Sequence, residues 1–377
     1  MNPSGSLNPS PRTLEVESVT RFDQLVSAGA KTMHGWHAQS LDLRGRAPVL
    51  AAMEAEGAIF MGCTFDPGVE DSLRRRGALI FPKLAGVPFD AYRGELYTPQ
   101  ELYAGILDVP YEETRDALVY QWSIRPGQRR HLDATLAAAL HDHAIGDALE
   151  ELARSVLGGG RAIVGVMGGH ASQRGSAGFA EAATLGRLLA RSGRMVATGG
   201  GPGAMEAANL GAYLSEAPDQ DFRGVLTELA SVPGFRPSVS AWARAAAAVV
   251  TRFPHGTSSL GIPTWFYGHE PPNFFATHIA KYFANAVREA VLLELCKGGI
   301  VFLPGSAGTI QEIFQDACEN YYGASETVTP MVLVGREHWE RHHPAWPMLQ
   351  SLAHGRAMEQ RIFLVDSVDE ALAVLGS

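Results

Sequence analysis

Apolar residues in this chain follow two habits: short unbroken runs that end in glycine, and longer stretches in which they recur every three or four positions. The plainest case is Gly299–Ala317, GIVFLPGSAGTIQEIFQDA. Ile300, Val301, Phe302 and Leu303 form a short run of the kind that makes a buried strand. Pro304-Gly305-Ser306-Ala307-Gly308 interrupts it, and Thr309 opens a helical pattern. Ile310, Ile313, Phe314, Ala317 and Tyr321 fall on one apolar helix face, which puts Thr309, Glu312 and Asp316 on the opposite one. A strand, a turn of small residues and a helix N-terminus together make an anion pocket of free N–H groups at the positive dipole end. A carboxylate beside it points to chemistry on a phosphorylated ligand. Taken alone, the same residues also read as a tight turn with Glu312 complementing the helix dipole.

The strand–glycine–helix theme recurs. Ala162–Met167 reads as a strand running into Gly168-Gly169-His170, with a helix from Phe179 to Arg191. Met195–Thr198 reads as a strand running into Gly199-Gly200-Gly201-Pro202-Gly203, with a helix through Ala212. Ala247–Thr251 and Pro263–Tyr267 read as short extended pieces, and Phe275–Leu295 as a helix. Met331–Val334 and Ile362–Val365 follow as strands, with a final helix at Val368–Leu375. Strands alternating with helices predict an α/β fold, a Rossmann-like doubly wound parallel sheet. Ligands of such sheets sit at the carboxyl ends of the strands, where the three glycine loops are expected to converge.

Residues 16–127 read as a smaller N-terminal α/β accessory region, with strands at Gly57–Gly62 and Gly77–Pro82 around a helix at Val69–Arg76. Arg74-Arg75-Arg76 reads as a solvated helix end. Tyr92, Tyr97, Tyr103, Tyr111 and Tyr120, punctuated by Pro88, Pro99 and Pro110, suggest a surface connection with short helices, a candidate lid. A connecting helix is expected over 128–158, with Leu132, Leu136, Leu140, Ile145, Leu149, Leu152 and Val156 in helical register. Gly158-Gly159-Gly160 marks the boundary before a ligand-binding domain at 159–377, and residues 1–15 read as a disordered tail.

Composition narrows the function classes. A 377-residue chain with 46% hydrophobic and 19% charged residues suits two globular domains. Its net charge of −9 argues against nucleic acid or an anionic membrane surface as partner, so a phosphate needs a local positive site. Cys63, Cys296 and Cys318 form neither a disulfide framework nor a zinc knuckle. No metal site is expected from His34 and His37, His141 and His143, or His342 and His343. The expectation is a cytoplasmic protein without a cofactor or a membrane span.

Neither G-x-G-x-x-G nor a P-loop lysine is present, which disfavours a plain dinucleotide oxidoreductase or an NTPase. What is present is GGGPGAMEAANLGA at Gly199–Ala212 and, further on, PGSAGTIQE at Pro304–Glu312. These two motifs resemble the signatures of the Lonely Guy (LOG) family, once called lysine decarboxylases: a GGGxxGxM loop and PGGxGTxxE. The resemblance covers about residues 160–377. It implies a Rossmann-like fold and hydrolysis of the N-glycosidic bond of nucleoside 5′-monophosphates (AMP-like ligands) to free base and ribose 5-phosphate. It also implies a homodimer or higher assembly, with sites near subunit contacts.

By the same resemblance Glu312 is implied to be catalytic, and Arg288 occupies the place of the family's arginine on the preceding helix. Gly199, Gly200, Gly201, Gly203 and Met205 match the first loop, and Gly305, Gly308 and Thr309 the second. Ser306 departs from the family's second glycine, and Arg288 is followed by glutamate where the family has lysine. Expected phosphate or nucleotide contacts further include Gly168, Gly169, His170, Glu206, Lys281 and Ala307. On the expected Phe275–Leu295 helix, His278, Lys281, Asn285 and Arg288 would form a positive stripe. Tyr267 and Glu270 are candidates for base and sugar contacts.

Glycosidic cleavage builds positive charge on the sugar, which a carboxylate at Glu312 is suited to stabilise while it activates water. Two other readings stand beside hydrolysis. One is a non-catalytic nucleotide sensor, or a carrier of a phosphorylated cofactor such as molybdenum cofactor. The other places function in the N-terminal region, with the second domain as a dimerisation platform.

Overall fold

The structure, a computed structural model, describes residues 14–128, 131–266 and 270–376. Most of the tail expected over 1–15 lies outside them, but Leu14 and Glu15 belong to a strand. Contacts divide the chain into two units. One holds residues 14–95 and 131–148, and the other holds 96–128 and the described residues from Leu149 onward.

The first unit stacks four short strands, β1 (Leu14–Val16), β2 (Trp36–Gln39), β3 (Ile59–Met61) and β4 (Leu79–Phe81). All are parallel and lie in sequential order, with α1 (Val19–Ser27), α2 (Ala47–Ala52) and α3 (Val69–Arg75) between them. Leu14 pairs with Trp36, His37 with Ile59 and Ile59 with Leu79, so successive coils advance by 22, 22 and 20 residues. The unit is therefore a short solenoid, in which each coil buries its apolar residues only by stacking on the next. Val16, Phe22, Leu43, Leu50, Phe60 and Leu73 form its core.

In the second unit, residues 96–128 carry α4 (Pro99–Leu102) and α5 (Arg115–Ser123). The lid expectation fails here, because Tyr97, Tyr103 and Tyr111 are each only 1% exposed. Tyr97 bridges the sheet edge at Ile279, and the Tyr103 hydroxyl donates to the Pro272 carbonyl at 2.6 Å. The stretch is an integral strap of this unit, fastened by a buried ion pair between Asp116 and Lys281 at 2.6 Å.

Beyond α6 (Leu132–Gly158) the chain alternates strand and helix. In order come β5 (Ile163–Met167), α7 (Ala177–Arg191), β6 (Met195–Thr198), α8 (Ala204–Tyr213), α9 (Asp219–Leu229), α10 (Val239–Arg252), β7 (Leu260–Gly261) and β8 (His278–Ile279). Then follow α11 (Asn285–Leu295), β9 (Ile300–Phe302), α12 (Ala307–Tyr322), β10 (Met331–Val334), α13 (Ala345–Ala353), β11 (Ile362–Val365) and α14 (Val368–Gly376). The seven strands are parallel in the order β11-β10-β9-β5-β6-β7-β8, the doubly wound α/β sheet that the alternation predicts. The strand order reverses between β5 and β9, and ligands bind at such a switch point.

Three expectations are corrected. Ala247–Thr251 is helical, inside α10. The Phe275–Leu295 helix begins only at Asn285, because His278 and Ile279 pair with β7 and Ile279 also pairs with Tyr97. Asp316, expected on the face of α12 opposite the apolar stripe, is itself buried, 2% exposed.

Candidate functional site

The loops that leave β5, β6 and β9 meet at the switch point and are laced by backbone hydrogen bonds. The Gly169 N–H donates to the Pro304 carbonyl at 3.2 Å, and the Ala204 N–H donates to the Gly169 carbonyl at 3.1 Å. Gly203 has φ +77°, and a Cβ there would lie 2.5 Å from the Gly169 oxygen, so this crossing admits only glycine. Gly200 also has positive φ, and its carbonyl accepts from the Asn273 N–H at 2.8 Å.

A pocket of about 460 Å³ opens above these loops. Gly168, Gly169, His170, Gly199, Gly201 and Met205 line one side of it, and Ser306, Ala307, Gly308 and Thr309 another. Arg288, Glu312 and Glu270 complete the lining among the residues expected from sequence, joined by Pro263, Thr264, Glu289 and Gln311. Ser306 is the N-cap of α12, but its side chain makes no capping hydrogen bond, so the first turn presents its N–H groups unshielded by a cap.

Arg288 on the first turn of α11 and Glu312 on α12 approach to 3.6 Å, an ion pair too long for a hydrogen bond, with side chains 13% and 15% exposed. The Arg288 Nε and Nη1 are buried with no hydrogen-bond partner among the described residues. Burial pushes the Glu312 carboxyl up to about 7; Arg288 pulls it down, while Glu289 and Glu270 add to the rise. Glu289 is engaged by Asn285 at 2.6 Å and by Gln311. Across the pocket, His170 Nδ1 and Glu270 Oε1 stand 3.5 Å apart.

Other expected residues lie elsewhere. Lys281 is 1% exposed, with its ammonium on Asp116 and 5.0 Å from the Trp265 ring, so it is not in the pocket wall. The His278–Arg288 stripe dissolves with the helix that was to carry it. Glu206 is buried and consumed: Arg174 Nε donates to Oε1 at 2.9 Å and Trp242 Nε1 to Oε2 at 3.1 Å. Gly200, Gly203 and Gly305 shape the loops from behind rather than lining the pocket, and Tyr267 lies outside the described residues.

Supporting residues that sequence reasoning missed act through backbone. The Asn273 amide donates to the Gly201 carbonyl at 3.2 Å and to Asn209 Oδ1 at 2.9 Å, which also accepts from Thr198. His338 Nε2 lies 2.8 Å from the Gly305 carbonyl and 3.3 Å from the Gly305 N–H, and burial lowers its pKa, favouring the neutral ring. Asn209, set among alanines and leucine in EAANLGA, was the only visible signal, as a polar residue in an apolar helix stretch.

Among the described residues no group of three or more His, Cys, Asp or Glu is arranged to hold a metal ion, and no helix is long and apolar enough to cross a membrane.

Residues 161–217, which span β5 to the end of α8, match the SLOG cluster4 family. No curated protein matches the chain. Among solved structures, the molybdenum cofactor binding protein of the phototrophic bacterium Rippkaea orientalis is similar with a TM-score of 0.37 and 15% identity, over 57% of this chain and 96% of that one. The molybdenum cofactor carrier protein of Chlamydomonas reinhardtii has a TM-score of 0.34 and 17% identity, over 57% and 96%. TM1055 has a TM-score of 0.33 and 16% identity, over 57% and 98%. At these values the likenesses carry no inference about ligand or reaction, and the fold class rests on the strand order itself.

Proposed function

We propose that the second unit binds a phosphorylated small molecule of the nucleoside 5′-monophosphate class and hydrolyses its N-glycosidic bond. The observation that carries the reading is Arg288, which lines the pocket beside Glu312 and whose buried Nε and Nη1 have no hydrogen-bond partner among the described residues. A buried guanidinium with unused donors is costly unless an anion completes it. The glycine loops and the uncapped α12 N-terminus supply further donors for a phosphate. Glu312, beside them and with its carboxyl near 7, is poised to exchange a proton at neutral pH. As carboxylate it takes a proton from water while the water oxygen bonds to C1′. The C1′–N bond breaks, its electron pair leaves with the base, and the base takes up a proton.

A second reading is a non-catalytic nucleotide sensor or a carrier of a phosphorylated cofactor, molybdenum cofactor included. The same Glu312 value favours it, since a protonated carboxyl donates to a bound oxygen but cannot serve as base. A homodimer or higher assembly belongs to the proposal. Isothermal titration with AMP and with Arg288→Ala tests the binding step. Binding that is lost in the variant supports the site, and full affinity in the variant contradicts it. Nucleotide that stays bound and intact over hours would move the conclusion to the sensor or carrier.

A further inference from the structure

Behind the His170–Glu270 pair lies a second cavity, of about 280 Å³, that shares those two residues with the first. Its walls differ in kind from the glycine cradle. They come from Pro202 on the β6 loop, from Gln173 after β5, and from Pro233, Phe235 and Arg236 in the segment joining α9 to α10. The floor is Trp242, fully buried, with Glu206 beneath it neutralised by Arg174. No uncompensated charge therefore faces the cavity from below.

The Phe235 ring is half-buried and meets Trp242 in a T-shaped contact at 6.4 Å. The exposed Arg236 guanidinium also lies over the ring, 5.5 Å from its centroid. Arg236 has no carboxylate partner among the described residues, so nothing else holds it in that place. A planar cation already occupies the position that a planar ring would take. The Gln173 amide, exposed at the rim, offers a donor and an acceptor to a ring edge.

We infer that this cavity is the compartment for the planar heterocyclic base of the ligand, with Phe235 as its stacking platform. The inference rests on the proposed function, because the ligand's phosphate end is placed in the first pocket. The groups are placed accordingly: N–H donors and Arg288 for the anion, Phe235 with Pro202 and Pro233 for the ring faces, and Ser172 and Gln173 for the ring's polar edge. The His170–Glu270 pair at the waist then faces the sugar, where a carboxylate accepts from hydroxyls. Phe235 would thus set how much the base contributes to recognition.

The test uses formycin A 5′-monophosphate, whose carbon–carbon glycosidic bond survives, and ribose 5-phosphate, which has no base. Affinities are measured by calorimetry on the full chain, wild type and Phe235 variants. The expected result is that the nucleotide binds at least about tenfold more tightly than ribose 5-phosphate, the usual scale of base–aromatic stacking. Phe235→Leu, which keeps bulk without a π face, should erase that advantage and leave ribose 5-phosphate unchanged, and Phe235→Tyr should retain it. If wild type binds both ligands equally, or the advantage survives Phe235→Leu, this inference is overturned while the phosphate site stands. If wild type binds neither, the proposed function falls with it.

Discussion

Asp316 is buried one turn beyond Glu312 on α12, and its Oδ2 has no hydrogen-bond partner among the described residues. Burial, with Glu319 adding and Lys297 opposing, raises its carboxyl from 3.8 to about 8. The folded chain therefore holds a proton there that the unfolded chain gives up. Stability from this group is complete below pH 3.8 and is lost progressively as pH rises through about 8. At about 1.4 kcal/mol per pH unit the ceiling on that loss is roughly 6 kcal/mol, and water entry and local relaxation reduce it to about 2–3 kcal/mol. Asp316→Asn keeps the shape and removes the ionisation. We expect it to stabilise the protein by about 2–3 kcal/mol at pH 8.5 and by less than about 0.5 kcal/mol near pH 4. Urea unfolding of both proteins across that range reads the difference directly. A variant less stable than wild type at pH 8.5, or a difference that does not change with pH, would refute the reasoning.

Three further outcomes are expected. Lys281→Met leaves Asp116 buried without its cation and should cost about 3–5 kcal/mol by denaturant unfolding, with part recovered in the Lys281→Met/Asp116→Asn double variant. Gly203→Ala forces a Cβ against the Gly169 carbonyl at positive φ and should cost about 2 kcal/mol or more together with nucleotide affinity, whereas the open Gly308 should accept alanine with stability intact. With Glu312 as the base, kcat should fall about tenfold per pH unit below about 7 and level off above it; a rate that climbs as pH falls would assign Glu312 the opposite role.

The central sheet was legible because β5, β6, β9 and β10 are buried on both faces and read as unbroken apolar runs bounded by glycine or proline. Of the solenoid, β3, α3 and β4 fall within the strands and helix expected at 57–62, 69–76 and 77–82, but β1, β2 and the repeat itself were not legible. Its strands are three or four residues long, LEV and WHAQ among them, and stacking on neighbouring coils rather than alternation determines which residues are buried. Phe275–Leu295 misled because Ile279, Phe283, Val287 and Val291 fall at helical spacing, although Ile279 is paired at the sheet edge in β8 and only the last two lie in α11. Lys281 went astray with it, and its partner Asp116 lies far away in sequence. Of the site, the glycine loops followed from local chemistry, whereas Arg288 and Glu312 were singled out by motif resemblance. Asn273 and His338 stayed invisible because each contacts loop backbone, a role that any polar side chain of suitable reach can fill.

Under the proposed function, the Arg288–Glu312 pocket cleaves a nucleotide at its N-glycosidic bond. Purified protein incubated with AMP and followed by chromatography for adenine and ribose 5-phosphate tests it most directly. Both products are expected in equal amounts from wild type, with a loss of at least about 100-fold in Glu312→Gln, the scale expected for removing an acid–base group. AMP bound but unchanged in wild type, or release undiminished in Glu312→Gln, would contradict it.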